Sequence, residues 1–185
     1  MPDREEVYHS VYGAYRLAFL DPSGMSFFNL SVDGFWRSFF AAVLVAPGFV
    51  LLVAQKLTAR SDGLDLGWAM LVQILAYGLM WAAFPVVALV LTQLLGLARN
   101  YVPLIVAINW AAVLQLGVLL AAMLLGLLLP ALEGLVLLVV TGGLLFYQWF
   151  VIRTALQTTG GVALLMVLVD LVLNTTINLS ADRLM

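Results

Sequence analysis

Five long apolar runs occupy the chain from about Phe35 to its C-terminus, separated by short polar breaks. Each is long enough, at about 1.5 Å per residue, to cross a hydrocarbon layer about 30 Å thick. Inside such a layer every backbone amide needs a partner from protein, so each run is read as a helix. Composition leaves no room for a water-facing alternative. Only 10% of the 185 residues are charged and 64% are hydrophobic, against roughly 25% charged in a soluble domain. The fold class is therefore all-α: a polytopic membrane protein with five transmembrane helices and an N-terminal interfacial amphipathic helix.

The predicted spans are residues 35–57, 66–97, 102–129, 132–153 and 162–179, preceded by a distinct N-terminal segment, 1–34. Asp33 is placed to cap the first span, and Phe35, Trp36 and Arg37 mark its interfacial end. Pro47 and Gly48 predict a kink within it, and Thr58 to Asp65 form the first loop. The second span holds Pro85 and exceeds the roughly 20 residues a bilayer requires, so it should tilt, kink or protrude. Arg99-Asn100-Tyr101 makes a tight turn, Pro103 suits the first turn of the next helix, and Pro130 ends that helix. Gln157 to Gly161 separate the last two spans. Connections this short predict that consecutive helices are antiparallel neighbours.

Glu5 to Leu20 read as an amphipathic helix, with Tyr8, Val11, Tyr12, Tyr15, Ala18 and Phe19 at helical spacing. Asp21-Pro22-Ser23-Gly24 ends it. Met25 to Leu30 are apolar and aromatic but too few to span. Two placements fit this segment: in the lipid interface, or packed on the protein's own cytoplasmic face. Met1 to Glu6 mix acidic and basic residues and no small-residue cleavage site follows, so a signal peptide is not expected. With the N-terminus inside, Arg4, Arg16, Arg37, Arg99 and Arg153 lie inside, while Lys56, Arg60 and Arg183 lie outside. That asymmetry favours N-inside, C-outside. Arginine in place of lysine, with abundant Ala, Leu, Val and Gly, has the look of a GC-rich bacterial genome and so of an inner-membrane protein.

Several function classes fall away. There is no cysteine, and His9 is the only histidine. Disulfides, thiolate catalysis, cysteine or histidine metal sites and a serine–histidine relay therefore cannot be assembled. No glycine-rich phosphate loop follows a strand. A formal charge of −2 gives no reason to expect nucleic acid. No enzyme activity, catalytic residue, cofactor or metal is expected. The partners expected are the lipid bilayer and other membrane subunits or a second copy of the chain.

The sharpest polar pattern is on the fifth span. Asp170, Asn174 and Asn178 recur every four residues and share one helix face, with Gly160, Ala163 and Ala181 near the same meridian. Asp170 is roughly 13 Å in from Gly161, close to the midplane. An ionised carboxylate there costs at least about 2.5–3.5 kcal/mol, so this face must turn away from lipid. It reads either as a proton or cation relay or as interhelical glue made of small and amide side chains. Arg153, the nearest cation in sequence, sits too near the membrane surface to meet it. Asn109, Gln115 and Gln148 complete the candidate intramembrane polar site. Packing also accounts for them: Ala107, Ala111, Gln115, Ala122 and Gly126 form a seam on the third span with Asn109 on its far side. Gly134, Thr141 and Gln148 form a second seam on the fourth.

A polar and aromatic N-terminal segment, five helices with short connections, Gly34-Phe35-Trp36-Arg37 leading into the first span, and prolines at 47 and 85 together resemble the Yip family. Its members are small five-span membrane proteins that, in eukaryotes, interact with Rab-type GTPases and shape trafficking membranes. The Asp-Leu-Tyr-Gly-Pro motif of the eukaryotic members is not present, so the resemblance carries over no site residue. It implies a non-enzymatic scaffold, accessory or membrane-organising subunit. The fifth span suggests the alternative, a small proton-coupled transporter or channel.

Overall fold

The computed structural model describes residues 1–58 and 65–185. The interior of the expected first loop, and Arg60 with it, lie outside the described residues. Seven α-helices follow in order: α1 (Arg4–Ala18), α2 (Val32–Ser38), α3 (Phe40–Thr58), α4 (Leu66–Leu94), α5 (Tyr101–Leu128), α6 (Glu133–Leu156) and α7 (Gly160–Leu184). No strand occurs among the described residues. Five segments are long and apolar enough to cross a membrane, the first being α2 and α3 together.

Packing is inverted relative to a water-soluble core. Buried positions go largely to small residues: Ala69, Ala76 and Ala88 on α4, Ala107, Ala111 and Ala122 on α5, Ala163 and Ala181 on α7. Large aliphatic side chains face outward; Ile74, Leu75, Val86 and Val90 of α4 are all more than half exposed. Water would penalise that arrangement. Lipid favours it, because helices there associate by close approach rather than by exclusion of apolar surface. This is the architecture of a multi-pass membrane protein.

Helix α5 is the hub. From Leu104 to Ala111 it is buried nearly all round. Helix α3 rests chiefly on α5, α4 chiefly on α7, and α6 lies against both α5 and α7. Consecutive helices are therefore close-packed for α5–α6 and α6–α7, but α3 and α4 are parted in backbone and meet only through side chains such as Tyr77, which donates to the Ala42 carbonyl. Gly48 explains why: a Cβ added there would meet the Leu116 side chain at 2.6 Å, so the missing side chain lets α3 press onto α5. At the far end, Lys56 pairs with Asp182 at 2.5 Å. Beside that pair, the Trp68 indole donates to the Leu184 carbonyl at 2.7 Å.

Several boundaries differ from the sequence reading. Ser31, not Asp33, caps α2, its hydroxyl accepting from the Gly34 amide at 3.0 Å; Asp33 stands in the first turn. Phe39 interrupts what was expected as one span. Helix α4 stops at Leu94 because Gly96 turns left-handed (φ 70°), letting Gly96 and Leu97 donate back to Gln93 and Thr92. Helix α7 runs on to Leu184 rather than ending at Leu179. The α6 seam is not formed: Gly134 and Thr141 are exposed, and only Gln148 is engaged by a neighbouring helix.

The N-terminal segment is docked through an unexpected face. Ser10, Gly13, Ala14 and Leu17 are the buried positions of α1, while Tyr8, Tyr15 and Phe19 point outward. Pro22 to Phe27 fold back as a 3₁₀ turn, and the hairpin closes on two glycines. A Cβ on Gly24 would meet the Gly13 carbonyl oxygen at 2.5 Å, and one on Gly13 would meet that of Gly24 at 2.7 Å. Arg16 pairs with Asp21, whose carboxyl is held below its ordinary value by hydrogen bonding from Ser23 first and from Arg16 second. Tyr147 of α6 then donates to the Ala14 carbonyl at 3.0 Å, fixing the hairpin to the bundle. Gly24→Ala should therefore undock α1, at a cost of about 1–3 kcal/mol for the forced displacement. Limited proteolysis in mild detergent should then cut between Tyr8 and Phe19 while the five long helices stay intact; resistance equal to the unaltered protein would refute the glycine contact.

Candidate functional site

Where the helices cannot close on alanine alone, a hollow remains. A cavity of about 420 Å³ lies among α3 to α7, and Asp170, Asn174, Asn178, Asn109, Gln115 and Gln148 all line it. These are the six polar residues singled out from the sequence, carried in on three helices. Helix α7 brings three of them at successive turns. Helix α5 brings Asn109 and Gln115 with Ile105, Ile108 and Ala112, and α6 brings Gln148 beside Leu145. Aromatic rings make up much of the remaining wall: Tyr77, Trp81 and Phe84 recur on one face of α4, with Phe49 of α3 opposite Tyr77.

Hydrogen bonds run toward Asp170. The Gln148 amide nitrogen donates to Oδ2 at 2.6 Å, and that of Asn174 donates to Oδ1 at 2.9 Å and to the Asp170 backbone carbonyl at 3.0 Å. One turn on, Asn178 donates to the Asn174 carbonyl at 2.9 Å and toward the Met80 sulfur at 3.6 Å. Asn109 donates at 2.9 Å to the Ser38 hydroxyl, which itself donates to the Phe35 carbonyl. Every partner is an acceptor, which sets the orientation of each amide. The side-chain oxygens of Asn109, Gln148, Asn174 and Asn178 accept from no group among the described residues. None is a fully buried orphan, since among the described residues only the Ser10 hydroxyl is both buried and unpartnered. They are left as free acceptors beside a carboxylate.

Among the described residues, no lysine, arginine or histidine lines the cavity. Arg153 is exposed and lies over the Trp149 ring, 5.4 Å from its centroid, as its distance along the helix requires. An ionised Asp170 therefore meets no counter-charge among the described residues of the cavity wall, and burying a charge unpaired is costly. No cluster of three acidic, cysteine or histidine side chains that could hold a metal ion occurs among the described residues. The chemistry on offer is recognition of positive charge by one carboxylate and several carbonyl-type oxygens.

Two readings are altered by this geometry. Gln115 was placed on a packing seam and Asn109 on the far side of the same helix; both face the one cavity, while Ala107, Ala111, Ala122 and Gly126 are buried as expected of the seam. The residues that sequence reasoning missed are aromatic. Tyr77, Trp81 and Phe84 stand at i, i+4 and i+7 beside Pro85 in a mostly aliphatic span, a face that could have been picked out by its spacing. In comparisons with known proteins, no family model, no curated protein and no solved structure matches the chain.

Proposed function

We propose that this non-enzymatic membrane protein binds a proton or small cation in the α3–α7 cavity and passes it across the bilayer, as a small transporter or channel working on the polar face of α7. The observation that carries the reading is that, among the described residues, the cavity offers acceptors and no basic side chain: one carboxylate with four uncommitted amide oxygens. Interhelical glue would consume those oxygens against donors on a facing helix. Here the amide nitrogens of Asn109, Gln148, Asn174 and Asn178 donate within the protein, while their oxygens accept from no described group. An intramembrane carboxylate that faces a cavity is the usual seat of ion or proton binding, and Pro47 and Pro85 within α3 and α4 suit helices that must flex around such a site.

A second reading, a Yip-like scaffold or membrane-organising subunit, is favoured by one observation: Tyr8, Tyr12, Tyr15 and Phe19 form an exposed aromatic stripe on α1. Tyrosine and phenylalanine sit well at a membrane interface. The two readings separate in proteoliposomes. Under an imposed proton or cation gradient, flux should be measurable and should fall at least tenfold in Asp170→Asn, with elution volume and melting temperature retained. No flux in the unaltered protein, or equal flux in the variant, would exclude transport. Loss of a copurifying subunit on undocking α1 would then favour the scaffold.

The bacterial inner membrane, with the N-terminus cytoplasmic and the C-terminus outside, is part of the same proposal and rests on the arginine and lysine asymmetry. Because the chain has no cysteine, single introduced ones report cleanly. An impermeant maleimide added to intact cells should label a cysteine at exposed Leu184 and spare one at Arg4; the reverse pattern inverts the topology.

A further inference from the structure

A second hollow, of about 470 Å³, lies between α3 and α4. Its wall is mostly apolar, with Thr58 and Gln73 its polar members besides the Tyr77 hydroxyl, and Val50, Met70 and Ile74, which line it, are each more than half exposed. It therefore faces the bilayer. It exists because α3 leans on α5 and α4 on α7, leaving this consecutive pair parted. The two hollows share two wall residues, Phe49 and Tyr77. Their rings are 4.5 Å apart between centroids and tilted by 35°, forming a two-ring partition between lipid-facing groove and polar cavity. Tyr77 is tethered, its hydroxyl donating to the Ala42 carbonyl at 2.5 Å. Phe49 has no polar tether, so it is the half of the partition held by packing alone.

We propose that this groove is a side entrance from the bilayer, with Phe49 as its door, and that the cavity's ligand is a lipophilic organic cation. The proposal rests on the cation-binding reading above and narrows it. A strongly hydrated inorganic ion gains nothing from an apolar approach, whereas a cation with apolar substituents concentrates in the membrane and moves along such a groove. Inside, the walls suit it on both counts. Tyr77 and Trp81 both line the cavity, their centroids 6.2 Å apart in an edge-to-face pair, and such rings attract a cation lying over them, while Asp170 and the free amide oxygens supply acceptors for the charge. At about 420 Å³ the cavity falls in the range that encloses drug-sized molecules, far larger than an alkali ion needs.

The test uses the purified full chain in lipid nanodiscs, titrated with tetraphenylphosphonium and with tetraphenylborate, which has the same shape and the opposite charge. The phosphonium should bind at least tenfold tighter than the borate. Asp170→Asn should lose at least tenfold in phosphonium affinity, and Asp170→Glu should recover most of it. Ile74→Trp, which fills the groove, should slow association severalfold with less effect at equilibrium. Equal uptake of both ions, or unchanged affinity in Asp170→Asn, overturns the ligand class. Unchanged association in Ile74→Trp overturns the side entrance. If the asparagine variant does not fold, the phosphonium–borate comparison and the glutamate variant still decide. Proton or alkali-cation flux without phosphonium binding defeats this inference alone; absence of any flux and any binding defeats the transport reading with it.

Discussion

A carboxylate near mid-depth in an apolar helix has no water to turn to, and the polar part of this protein is arranged around that constraint. Asp170 lies within a span whose other residues around it are aliphatic, where an unsolvated charge costs several kcal/mol. It is met by donors from its own helix and from α6, through Asn174 and Gln148. Neither is charged. Hydrogen bonding is thus supplied while neutralisation is not, and that gap between the two is what gives the cavity its chemical character. A salt bridge in its place would have closed the site; amides leave it open to an incoming positive charge.

The surrounding packing makes room for this. Alanine and glycine at the helix contacts bring backbones close at both ends of the bundle, and two sets of ties hold those ends. Tyr147 and the glycine-closed hairpin of α1 brace the region where α5 begins and α6 ends, joined by Asn100 donating to the Leu156 carbonyl at 2.6 Å. Lys56 with Asp182, and Trp68 with Leu184, tie α3, α4 and α7 at the other. Between the ties the helices diverge around side chains too large to close, and the hollow lined by Asp170 is the consequence. Fixed ends with a looser middle are a suitable frame for small movements of α3 against α4.

Much of this was legible in the chain. Span number and type follow from apolar length, and the α7 face follows from the four-residue spacing of Asp170, Asn174 and Asn178. That Asn109, Gln115 and Gln148 join them was readable only as a list of polar residues in apolar runs, because spacing within one helix carries no information about which neighbour it meets. For the same reason the pairing of α3 with α5 was missed: loop length allows α3 and α4 to be neighbours, and the close approach at Gly48 decides otherwise. Helix α1 misled in another way. Its tyrosines are its most conspicuous residues, yet Gly13, Ala14 and Leu17 are the ones buried, because glycine and alanine allow contact that a tyrosine ring would block. The α6 seam failed because periodicity marks a face without supplying a partner, and nothing covers Gly134.

The central claim, that each Asp170 oxygen accepts a hydrogen bond yet the carboxylate lacks a counter-charge among the described residues, is tested most directly by supplying one. Gln148→Lys places an ammonium where the amide now donates to Asp170. Unfolding in micelles of the unaltered chain, Gln148→Lys, Asp170→Asn and the double variant gives the coupling between the two positions. The account predicts that lysine is tolerated opposite aspartate and harmful opposite asparagine, with a favourable coupling of about 1–3 kcal/mol. Lysine equally harmful against either residue would contradict it.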